Sequence, residues 1–321
     1  MADSQVKNGE ILFVKSVKDG IPNRDPLNDS DARRIFGEDD GRISLSDVSI
    51  KRDVRDFIRA RFPHGSPNKD CFIFVQEKRS KDGKLLGRGS LAEEIKKQSG
   101  AQGTTQEILC QAAFDVRTFG AVYSVKSESF HLTGPVQFGW AHSLHPVETT
   151  YVQGTVVMPS ADITAKDQGK IEGKTQGTIW TTYTLPFAVF AMPGIINSSI
   201  ASETKMTQKD VEYLLQGLWY GTQHRQARGR GIQQPLFLLH VEYKKDYFRI
   251  GYLEDQIKLL PSREDWLTGR KPTSVKEVKL DITDLTKLLT KHEADIDRCR
   301  FWLNPELEVI GEIPGEQAEL W

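Results

Sequence analysis

The chain has 321 residues, 38% hydrophobic and 27% charged, with 43 basic against 44 acidic side chains and a formal net charge of −1. That length can bury a full core, and the composition is that of an ordinary globular protein rather than a disordered or general polyanion-binding one. No apolar run approaches the ~20 residues of a membrane span, the start MADSQVKNGE is no secretory signal, and Cys71, Cys110 and Cys299 fit neither a disulfide framework nor a paired-cysteine metal site, so a cytoplasmic protein with no membrane partner is expected.

In chain order, EILFVKSV (10–17) reads as a first strand, followed by a long polar connection rich in Asp, Asn, Gly and Pro. SDVSIKRDVRDFIR (46–59) then reads as a helix. At about 100° per residue, Ile50, Val54, Phe57 and Ile58 fall on one apolar stripe. Ser46 or Asp47 is placed to cap its first amides. Lys51, Arg52, Arg55 and Arg59 gather on one flank of the stripe, while Asp53 and Asp56 fall on the other. Several i,i+4 neutralising pairs are therefore expected to be missing on the basic flank. The ridge is either a solvated surface or a holder of phosphates.

CFIFVQE (71–77) reads as a further strand, and LGRGSLAEEIKKQSG (86–100) as a short polar helix ending at Gly100. In 107–125 the second half is strand-like, and 135–147 alternates Val136, Phe138 and Trp140 against Gln137, Gly139 and Ala141. From about Glu148 to Tyr183, two β-prone ends flank a polar Gly/Lys/Asp centre, which is the profile of a long hairpin. Residues 207–221 form a helix capped by Thr207, with a Val211, Leu214, Leu215, Leu218, Trp219 stripe and Gly221 at its stop. PLFLLHVEY (235–243) is a strand and 281–299 a helix. This mixture predicts an α+β fold, a sheet covered by helices on one face with loop insertions.

Charge is unevenly spread. Eight acids stand between Glu293 and the C-terminus against Arg298 and Arg300, whereas HRQARGRG (224–231) carries Arg225, Arg228 and Arg230 with no acid. Such a chain can bind a polyanion on one side or stack head to tail with its own copies.

No motif carries catalysis. His142 and His145, three apart on a strand, point to opposite faces and do not converge on a metal. Asp25, Asp29 and Asp31 read as turn formers. No GxSxG, HExxH, P-loop or dinucleotide fingerprint is present, so no catalytic residue, metal or cofactor is expected. Instead, the basic helix, the Gly-rich arginine loop and a projecting arm with Tyr151, Val157, Met158, Trp180 and Tyr183 together suit single-strand recognition.

The segments RISLSDVSIKRDVRDF, FDVRTFGAVYS, LTGPVQFGWAHSLHPV and TQHRQARGRG, in this order over about residues 9–250, resemble the backbone subunit of the type I CRISPR Cascade complex. This is the guide-RNA-binding member of the RAMP superfamily, and the chain is most similar to its I-B and I-C branches. The resemblance implies one RAMP-type domain. An RRM-like, ferredoxin-like palm would comprise 9–62, 107–147 and 184–321, with helical fingers inserted at 63–106 and a β-hairpin thumb at 148–183. The acidic C-terminal portion has no counterpart in it.

It further implies that Ser49, Lys51, Arg52 and Arg55 lie against the guide RNA (crRNA) backbone, with Arg117, Gln137, Arg225, Arg228 and Arg230 as further RNA contacts. Tyr151, Val157, Met158 and Trp180 would serve the thumb that displaces a nucleotide. The implied partners are crRNA, the target DNA strand paired to it, further copies of the chain and other Cascade subunits. One branch of the superfamily cleaves RNA with an Asp in the first loop. Asp25 is nearby, but its loop departs from that branch's motif, so Asp25 is expected to be structural and the chain non-catalytic.

Overall fold

Strand β1 (Gly9–Lys18) is buried along nine of its ten residues because it pairs on both sides and is covered on both faces. The computed structural model describes residues 5–28, 31–37, 39–125, 128–155 and 179–319. After β1 come the short β2 (Ser44–Leu45) and helix α1 (Asp47–Arg61). A helical segment follows, with α2 (Arg88–Ser99), α3 (Thr105–Ala112) and α4 (Phe114–Phe119), then the hairpin β3 (Gly120–Val125) and β4 (Glu128–Thr133). Strands β5 (Val136–Phe138) and β6 (Ala141–Ser143) precede a second hairpin, β7 (Thr150–Thr155) and β8 (Ile179–Thr184). Strand β9 (Phe187–Ile196), helices α5 (Ser198–Thr204) and α6 (Gln208–His224), and β10 (Ile232–Tyr243) complete the central unit. The remainder comprises β11 (Lys258–Leu260), α7 (Arg263–Thr268), β12 (Lys279–Asp281), α8 (Thr283–Lys291), β13 (Ile296–Leu303), β14 (Glu308–Ile310) and β15 (Glu316–Gln317).

The main sheet runs β15-β13-β10-β1-β9-β6-β2, with β5 also on β9, and is antiparallel except for the β13–β15 pair. Strand alternation sends Ile11, Phe13, Lys15 and Val17 to one face and Leu12 and Val14 to the other. The first set packs with Ile50, Val54 and Ile58 of α1 and Val211, Leu214 and Leu218 of α6. The second packs with Trp266 of α7, Leu280 of β12 and Leu285 and Leu289 of α8. Helices therefore cover both faces, not one. The C-terminal portion supplies the second cover and, through β13, a strand of the main sheet.

Local departures from the sequence reading have physical causes. Residues 71–77 are not a strand; Phe72 makes only a bridge to Ala113 and packs with α2 and α3. The 135–147 stretch breaks at Gly139, so Ala141 is buried and Trp140 turns outward, inverting the expected alternation. The 281–299 stretch is α-helical only over Thr283–Lys291, makes a short 3-10 turn at Glu293–Asp295, and then enters β13. Gly221 does not stop α6, which continues to His224. A Cβ there would strike the Asp53 carbonyl oxygen, and one at Gly217 would lie 2.8 Å from Val54, so these glycines let α6 approach α1. Among the described residues no helix is long and apolar enough to cross a membrane.

Candidate nucleic-acid interface

Lys15 is the polar break in the face of β1 that α1 covers, and its partner is Asp53, a fully buried acid on α1. The Asp53 carboxylate accepts from Lys15 Nζ at 3.2 Å, Arg225 Nη1 at 2.9 Å and Arg230 Nη2 at 2.7 and 2.9 Å. Gln233 Oε1 accepts from Lys15 at 2.9 Å and from Arg230 at 3.1 Å. One carboxylate thus faces three cations. Burial lowers Lys15 to about 8, with Asp53 opposing and Arg230 and Arg225 adding to the fall. Burial likewise lowers Arg230, again against Asp53. Arg230 is 5% exposed, and its buried Nε and Nη1 have no hydrogen-bond partner among the described residues.

In front of this cluster opens a cleft of about 550 Å³. Among the described residues six arginines line it, namely Arg24, Arg52, Arg55, Arg225, Arg228 and Arg230, against one acid, Glu77. Ser46, Val48 and Ser49 bring the first turn of α1 to the same wall. The basic flank is more neutralised than the sequence suggested. Arg52 pairs with Asp56 at 2.8 Å and Lys51 with Asp47 at 2.9 Å, both i,i+4, while Arg55 meets the buried Asp115 at 2.9 Å. Arg52 stays 47% exposed at its side chain, so its pairing is the solvent-screened kind that costs little to exchange. Ser46 takes the N-cap position of α1 without a side-chain capping bond.

The second hairpin, β7–β8, meets two of the arginines that line the cleft. Arg24 Nη2 donates to Thr182 Oγ1 at 2.6 Å, and the Arg228 guanidinium lies 4.5 Å from the Trp180 ring centre. Between them Gly229 holds φ +74°, and a Cβ there would collide with the Arg24 guanidinium. Tyr151 is exposed and meets Tyr183 edge-on at 5.3 Å. Val157 and Met158 lie outside the described residues.

Of the residues expected at the RNA, the structure gathers Ser49, Arg52, Arg55, Arg225, Arg228 and Arg230 in this cleft, with Trp180 at its edge. Lys51 and Gln137 do not line it; they meet each other at 3.3 Å beside Phe119. Arg117 is a core residue, not a surface contact. It is 4% exposed, grips Asp210 at 2.8 and 3.1 Å, and donates to the carbonyls of Asp70, Cys110 and Gln111. Burial opposes its charge, but the Asp210 carboxylate more than offsets this and raises its pKa. Asp25 accepts from Leu27 N at 3.0 Å and lies 3.7 Å from Arg33, the geometry of a turn former. No local pattern marks Arg24, a lone arginine in a long loop that only tertiary folding brings to the cleft.

An α+β sheet carrying an arginine-lined cleft beside a hairpin presents the planar cations that suit a polyphosphate backbone. A family model described as CRISPR-associated protein Cas7 matches residues 7–283, so the chain belongs to the Cas7 family. A protein of Haloferax volcanii named CRISPR-associated protein Cas7 is 26% identical over 341 residues, spanning 98% of this chain and 93% of that one. A chain of a solved CRISPR RNA-guided surveillance complex superposes with a TM-score of 0.51 at 14% identity, covering 96% of this chain and 95% of its own length. A chain of such a complex in a pre-nicking state gives 0.51 at 12% identity, covering 96% and 97%. At these identities the two structures establish a shared fold.

Proposed function

We propose that the chain is the non-catalytic, crRNA-binding backbone subunit of a type I CRISPR interference complex. Several copies line one guide RNA in the cytoplasm, beside other subunits, and present its bases to a target DNA strand. The observation that carries this reading is the cleft itself, where six arginines converge against a single acid among the described lining residues. A phosphate oxygen is the acceptor an arginine fork fits best. The protein grips phosphate and leaves sequence choice to base pairing.

The domain reading follows the same lines. Strand order β10-β1-β9-β6, with α1 and α6 on one face between β1 and β6 and between β9 and β10, supports an RRM-like palm. The helices after α1 suit the fingers, and β7–β8 begin and end the thumb. Family membership favours a scaffold over a nuclease, and Asp25 sits in a turn rather than in the cleft lining.

The test is size-exclusion chromatography of the chain with a guide RNA, read at 260 and 280 nm. A large species carrying RNA and several protein copies is expected. A nucleic-acid-free monomer in the presence of guide would refute the proposal.

A further inference from the structure

A second exposed surface adjoins the cleft, and the backbone ties the two together. Arg24, in the cleft wall, bridges to Ala32; the next residue, Arg33, accepts Ser44 N on its carbonyl at 2.8 Å; and Ser44 pairs with His142 across β2 and β6. This ladder fixes the position of Phe36, Trp140 and His142 relative to the arginines.

Phe36 is 47% and Trp140 38% exposed. The Arg42 guanidinium lies 4.4 Å from the Phe36 ring centre, and Arg33 lies 5.6 Å from that of Trp140. His142 meets Phe36 at 4.5 Å between centroids, and its Nδ1 is 2.9 Å from Ser44 Oγ. Each guanidinium also has a carboxylate: Arg33 faces Asp25 at 3.7 Å and Arg42 faces Asp40 at 2.6 Å. These arginines are therefore locally neutralised. What the patch offers a ligand is flat π surface, not net charge.

We infer that this patch is a base-stacking platform. Unpaired nucleobases of the strand whose phosphates occupy the arginine cleft lie against Phe36 and Trp140. The inference rests on the reading of the cleft as the guide-RNA groove. A flat heterocycle matches exposed rings braced by planar cations, and stacking is tolerant of base identity. Continuity with the cleft selects the strand already held there over a protein partner. A stacked base also covers apolar ring surface that the fold leaves in water.

The test compares two ribo-oligomers of equal length and charge on the full chain, one of adenosines and one of abasic ribose-phosphates. The wild type should prefer the base-bearing strand by about tenfold per stacked base. Phe36→Ala/Trp140→Ala should erase most of that preference while leaving the salt dependence of binding unchanged. Trp140→Leu, which keeps an apolar side chain at the position, should also weaken it. Arg52→Ala should do the opposite, weakening both strands equally and flattening the salt dependence. Equal affinity of the wild type for the two strands, or a preference that survives in the double variant, overturns the platform while the cleft stands. Loss of binding to both strands by the wild type overturns the cleft reading and the platform with it.

Discussion

Arg230 reaches the Asp53 carboxylate through Nη2 alone, at 2.7 and 2.9 Å, and leaves Nε and Nη1 of the same buried guanidinium without a partner among the described residues. Asp53 is thus shared among three cations and cannot satisfy all their donors. It holds α1, β1 and the arginine loop together, and it leaves a positive surplus beneath the cleft.

Removing that acid should cost more than removing an ordinary surface charge. Asp53→Asn leaves Lys15 and Arg230 buried without a counter-charge, a change of the kind that costs about 3–5 kcal/mol. Urea unfolding should show a midpoint well below that of the wild type. A variant as stable as the wild type would mean that the cluster does not hold the elements together.

Lys15 makes the cleft sensitive to alkaline pH. Burial lowers its pKa from 10.5 to about 8 in the folded chain. Between these values the unfolded chain holds a proton that the folded chain has lost, so the Lys15 contribution to stability rises as pH climbs through the window. RNA binding runs the other way, because phosphate near Arg230 favours the charged lysine. Affinity should fall as pH rises from 7 to 9, by about fivefold if phosphate raises the group by one pKa unit. Binding titrations of wild type and Lys15→Met check this; the variant should lose that slope.

Arg117 separates fold from function. Arg117→Ala strands Asp210, which also completes the capping box of α6 with Thr207, and should destabilise the chain by about 3–5 kcal/mol. The folded fraction should bind RNA with an unchanged salt slope. A flattened slope would place Arg117 at the nucleic acid instead.

The helical stripe of α1, the first strand, the Thr207 cap and the arginine loop were legible in the sequence because each rests on a local period or a turn residue. What local pattern could not show was which charges meet across the fold. Asp53 and Asp56 read as one acidic flank, yet Asp53 sits beneath β1 while Asp56 pairs with Arg52 at the surface. Arg117 lies in a motif with the same polar signature as a surface contact, and only its burial against Asp210 assigns it to the core. Gly221 reads as a helix stop because the close approach of α1 that requires it is a tertiary event.

The salt dependence of RNA affinity tests the central claim most directly. Fluorescence anisotropy with a single-stranded RNA over a salt series should give a linear log–log plot for the wild type. Arg52→Ala and Arg228→Ala should each weaken binding without sequence bias and flatten the slope by about 0.7 per lost phosphate contact. Unchanged affinity and slope in both variants would contradict the assignment of the arginine cleft as the phosphate groove.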